Sequence, residues 1–254
     1  MNPLLKAARS EVLKYRRTLV RRILVVGPAL VGVLYALAQI SLGTRPLSWP
    51  LLLAVVFTWW TTVWVPLESA LLPALASRME RGAGSWIALR SRPVQPWMMY
   101  ASKLAVVELW NLLAAVVMAA STLTVGLLLA PDPVPVSRAV MVPLLPCACS
   151  LPLMSIGLLV SEMAGMWSSV VLGVLGMIAG VLMAEGSRWI YIPWAWPIRA
   201  DIPVAETHAN GLPLKPGSAL SDPGLIIPVI AVSITVGLML AGFGCAWFSR
   251  REVK

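Results

Sequence analysis

The stretch ERGAGSWIALRSRPVQPW, Glu80 to Trp97, is charged, holds two glycines and ends in prolines, yet long apolar runs flank it on both sides. Its place between those runs decides the fold. About 20 apolar residues cross a bilayer core of roughly 30 Å. The run before the stretch, Trp49–Leu72, and the run after it, Leu104–Ala130, both reach that length. Four further runs are Ile23–Ile40, Val140–Val160, Met166–Met183 and Leu225–Phe248. The expectation is an all-α integral membrane protein with six transmembrane helices spread over residues 23–248. Pro143, Pro146 and Pro152 predict a kinked or broken fourth span.

Composition agrees. Of 254 residues, 59% are apolar and 12% charged. Soluble domains carry about 25% charged residues, and the mean hydropathy here is +0.82. The net charge of +9 has a topological reading. Seven Lys and Arg lie in the arm 1–22, five between spans two and three, and three in the tail 249–254, against five on the opposite side. The positive-inside rule puts both termini and the opening stretch in the cytoplasm of a bacterial cell membrane. A nucleic-acid partner is not expected.

The arm reads as an amphipathic interfacial helix. Leu4, Leu5, Ala8, Val12, Tyr15 and Leu19 share one face, and Lys6, Arg9, Lys14 and Arg17 the other. Such a helix lies on membrane lipid with its cations toward anionic headgroups. The first span is read as uncleaved rather than as a signal peptide. Segment 186–224 is an outer loop opened by Trp189, Tyr191, Trp194 and Trp196, rings suited to the headgroup boundary and apolar enough to dip back into the membrane. Its remainder, which includes Asp201 and His208, reads as polar loop. Cys147, Cys149 and Cys245 sit in apolar runs and read as small buried hydrophobes.

No phosphate loop, no H-E-x-x-H and no G-x-S-x-G elbow occurs, so no catalytic residue, metal site or cofactor is expected in this chain. Charges within spans are expensive and call for partners. Glu68 and Glu108 both fall toward the cytoplasmic end, where Arg78 and Lys103 are candidate partners in a structural ion network. Proton or cation coupling is the alternative. Glu162 and Glu185 read as solvated span ends. Gly176, Gly180 and Ala184 in the fifth span, and Gly237 and Ala241 in the sixth, offer faces for close helix approach.

Within the opening stretch, Ser77 to Glu80 has the S-x-x-E form of a capping box. Span two would then end near Ala76, and a short cytoplasmic helix would begin in segment 77–96. Trp86 and Leu89 supply anchors, with Glu80, Arg81, Arg90 and Arg92 as a charged rim, which suits docking into a partner's groove. The order Glu80, Trp86, Leu89, Pro93, Tyr100 and Lys103 between spans two and three resembles the permease subunits of type-2 ABC exporters. More narrowly, it is similar to the lantibiotic self-immunity and bacitracin-resistance permeases, as is the aromatic-proline stretch from Trp189 to Pro197. The resemblance implies a coupling helix at 77–93 and two copies of a P-loop ATPase subunit that binds ATP and Mg. It also implies a second permease, identical or homologous, and export of an amphipathic peptide antibiotic. Export of a drug, a lipid or sodium on the same scaffold, or a membrane scaffold or enzyme without transport, are the alternatives.

Overall fold

The computed structural model describes residues 12, 19–42, 48–82 and 95–250. Among them the chain is helical, with one isolated bridge, Thr207 to Pro213, and no strand. Helix α1 is Leu19–Leu42. Next come α2, Trp49–Val56, a π-helical segment, Phe57–Trp64, and α3, Val65–Gly82, in one continuous rod. Then follow α4, Pro96–Leu129, α5, Val136–Cys149, α6, Leu151–Ala164, and α7, Met166–Met183. Last come α8, Ala195–Ala205, and α9, Ile226–Arg250.

Four helices are long and apolar enough to cross a membrane: Trp49–Met79, Pro96–Leu129, Met166–Met183 and Pro223–Arg250. The bent pair α5 and α6 makes a fifth if taken as one span. The predicted first span falls in α1, whose described apolar part, Val26–Leu37, is shorter than a crossing needs. The multi-pass character is therefore plain, with four or five crossings in the described residues where six were expected. Lipid-facing stripes follow helical spacing: Trp167, Val171, Leu175, Ile178 and Leu182 on α7 are all exposed.

The predicted break in the fourth span is real. Helices α5 and α6 meet at Ser150 at an angle of 42°. Pro152 opens α6, where its missing N–H costs no hydrogen bond. Ser150 Oγ donates to the Cys147 carbonyl at 2.7 Å, which satisfies backbone freed at the break. Helix α6 ends at Gly165, whose φ of 96° is a conformation that side chains resist.

The predicted end of the second span is not borne out. Helix α3 runs through Ser77 and Glu80 to Gly82. Ser77 is buried and its hydroxyl makes no cap. An apolar face that continues past Ala76 keeps the rod helical, so no new helix starts at Ser77. The rest of the predicted coupling segment, with Trp86, Leu89, Arg90 and Arg92, lies outside the described residues, as does most of the amphipathic arm. Glu80 and Arg81 belong to the last turn of α3, and their side chains are outside the description.

Small residues hold α3 against α6 and α7. A Cβ on Gly157 would collide with the Ser69 backbone carbonyl, and one on Gly173 with Ala70. Ser169 Oγ donates to the carbonyls of Ala70, 3.1 Å, and Gly157, 3.0 Å, and so bridges α7, α3 and α6. Van der Waals packing and such hydrogen bonds bind helices where lipid supplies no hydrophobic drive.

Candidate functional site

The interior carries charge at three levels. Nearest the 83–94 connection, Lys103 Nζ on α4 donates to Glu162 Oε1 on α6 at 2.6 Å, with both side chains 1% exposed. Lys103 also sits over the Phe248 ring of α9, 5.7 Å from its centroid. This corrects two expectations. Lys103 pairs with Glu162, a partner the sequence reading did not offer it, and Glu162 is buried rather than solvated. Arg78 is exposed, and its Nη1 lies 3.8 Å from Met166 Sδ.

The middle level holds Glu68 and Glu108. At 1.5 Å per residue, Glu68 lies about 16 Å up its helix from Met79, and Glu108 about 18 Å up from Pro96. The two thus lie at similar distances from the ends that the 83–94 connection joins, each on the connection side of its helix's midpoint, as the sequence reading placed them. Glu68 is 1% exposed, and neither of its oxygens has a hydrogen-bond partner among the described residues. The Trp64 indole stands beside it but falls short of hydrogen-bond geometry. Glu108 Oε2 accepts from Asn111 Nδ2 at 3.3 Å, and its Oε1 has no such partner. Asn111, fully buried, also donates to Ser150 Oγ at 2.7 Å, while its Oδ1 stays unmatched. The sequence reading missed Asn111 and Ser150, although Asn111 lies one turn beyond Glu108 on the same face.

The third level belongs to segment 186–224. Helix α8 packs among α5, α7, α9 and the π-segment rather than forming loop. The sequence reading hid it because Pro193, Pro197 and Pro203 resemble turn signals. Asp201, expected in a polar loop, is fully buried and accepts from Thr61 Oγ1 of the π-segment at 2.7 Å. Burial raises its carboxyl well above the usual carboxylate range, and the Thr61 hydrogen bond opposes that in part. The four aromatic residues separate. Trp196 is buried and donates to the Ile190 carbonyl at 3.0 Å. Trp194 lies against Gly176 and Gly180, where no Cβ would fit. Arg199 stacks on Trp189 at 6.0 Å, and Tyr191 is 79% exposed. Gly176 and Gly180 of α7 thus receive the ring and backbone of Trp194, while Gly173 on the same face receives α3.

At the same end, Glu185 accepts from the Ala209 N–H at 2.6 Å and lies 3.0 Å from His208 Nδ1, so neither residue is solitary. Arg138 donates from Nε to the Val204 carbonyl at 2.8 Å and pairs with Glu206 at 3.0 Å, which pins the end of α8 to α5. An open cavity of about 420 Å³ lies between α1 and the rod Trp49–Gly82, lined by Leu34, Leu51, Ala54, Thr58, Trp59 and Gly211. Among the described residues, no three His, Cys, Asp or Glu side chains gather as a metal cage would need. The three cysteines are free.

The family model described as ABC-2 family transporter protein matches residues 7–181. No curated protein matches the chain.

Proposed function

The chain belongs to the ABC-2 transporter family, and from that membership we propose that it is the permease of an ATP-driven exporter. Its cargo in this reading is an amphipathic, lantibiotic-like antimicrobial peptide, expelled for self-protection. Six crossings complete the bundle, with α1 as the first, and both termini face the cytoplasm. The connection 83–94 docks into a P-loop ATPase present in two copies, and a second permease, identical or homologous, completes the transporter. ATP and Mg bind to the partner, and this chain hydrolyses nothing.

The observation that carries this reading is the span of the family match, which covers residues 7–181 and so includes both rods flanking the connection. Further support comes from charge. Arg81, Arg90 and Arg92 fall in or beside the connection in sequence, between the rod Trp49–Gly82 and α4. The cavity beside Trp59 is open and largely apolar, which suits the apolar side of an amphipathic cargo. The test has two parts. Purification in mild detergent should bring down a P-loop ATPase. Deletion of the gene should sensitise intact cells to lantibiotic-type peptides. Unchanged sensitivity to every peptide tested removes the peptide cargo, and absence of any ATPase removes the permease role.

A further inference from the structure

We propose that Glu68, Glu108 and Asn111 form a binding site for a small monovalent cation, a proton or an alkali-metal ion, at the centre of the helix bundle. The two carboxylates come from two different helices, at similar distances along them from the ends that the 83–94 connection joins. They feel each other's charge, and the Cys147 thiol of α5 lies in the field of both. Four acceptor oxygens there, both of Glu68, Oε1 of Glu108 and Oδ1 of Asn111, are buried and reached by no donor among the described residues. Asn111 belongs to the site independently of the acids. Its amide N–H groups are taken by Glu108 and Ser150, while its carbonyl oxygen is buried without a donor among the described residues.

A buried carboxylate without a compensating charge is strongly unfavourable. Among the described residues, the buried Lys103 lies about 7 Å along α4 from Glu108 toward the connection and is held at 2.6 Å by Glu162. Helix α6 brings Glu162 as its only ionisable residue, and α7 brings none. The compensating charge is therefore a mobile one. Calcium takes six to eight oxygens, and magnesium keeps its waters. Four buried protein oxygens, too few for calcium, suit a monovalent ion instead. The consequence for transport rests on the permease reading. The first rod and α4 are the helices joined by the 83–94 connection, so a cation between them ties their separation to the position of that connection.

The test uses the purified full chain in lipid nanodiscs, without ATPase or nucleotide, so its failure leaves the permease reading intact. One arm compares Tm in sodium, potassium and choline chloride at equal ionic strength. The other records the infrared carboxylic-acid band in choline. Two results support the site. In one, sodium or potassium stabilises the fold at least tenfold over choline, and E68Q and E108Q abolish the difference. In the other, a carboxylic-acid band disappears in E68Q or E108Q. If E68Q fails to insert, Asn111→Leu, which keeps both acids, should weaken the same signal. Equal Tm in all three salts with no band removed by either variant overturns the proposal, as does stabilisation by calcium or magnesium alone.

Discussion

Replacing Lys103 by Met removes the cation that lies 2.6 Å from the Glu162 carboxylate, where both side chains are 1% exposed. Met is close to Lys in length, so packing is largely kept and the loss is electrostatic. Removing one member of a buried pair typically costs about 3–5 kcal/mol, because the remaining charge has no compensation. At 1.4 kcal/mol per decade, that is roughly a 100- to 4,000-fold rise in the unfolding constant. The contact with Phe248 at 5.7 Å adds a further contribution of about 1–2 kcal/mol. Glu162→Met alone should cost a similar amount, since it removes the carboxylate of the same buried pair. The double variant replaces both charges by apolar side chains and should recover most of the loss. Unfolding in mixed micelles by SDS, for the wild type, both singles and the double, closes the cycle. A coupling energy below about 0.5 kcal/mol, which is the level of independent sites, would refute the buried pair.

Gly157→Ala pushes a methyl into the Ser69 backbone carbonyl, which cannot rotate away; we expect about 1–3 kcal/mol of destabilisation, measured by the same unfolding assay, and a neutral result would mean α3 and α6 sit farther apart. Burial raises the Asp201 carboxyl in the folded state, so its stabilising effect is full below the unfolded carboxylate value of about 3.9 and is lost as pH rises through the folded value. Stability of the wild type should thus fall with rising pH relative to Asp201→Asn, and parallel profiles for the two proteins contradict the buried acid. Asn210 is exposed at the Asp201 end; Asn210→Cys should react in intact cells with an impermeant maleimide, and labelling only after lysis inverts the orientation.

Crossing helices were legible because one number, the length of an apolar run, governs them. Met166–Met183 carries the same bounds in sequence and structure, and the prolines around Ser150 announced their break. Helix α8 was not legible. Its apolar face is short, and its prolines mimic turns, while the contacts that bury Asp201 come from Thr61, far away in sequence. Ion pairing failed for the same reason. Spacing along one chain proposed Arg78 and Lys103 for Glu68 and Glu108. Which side chains share a depth depends on how helices stack, and α6 brought Glu162 to Lys103 instead. The π-segment had no sequence signal that we can identify, yet it aims Thr61 at Asp201 and Trp60 at the Pro143 carbonyl. The serine-to-Glu80 capping pattern misled because burial of Ser77 in the bundle outweighs a local hydrogen bond.

The central claim is that energy enters through the connection between α3 and α4 from a separate ATPase. A photo-crosslinking residue placed at Trp86 in the assembled complex tests it directly. The account predicts a crosslink to a P-loop ATPase whose yield changes when ATP is added. A complex that transports yet gives no crosslink from residue 86, or a residue 86 that reacts with impermeant reagent outside the cell, contradicts it.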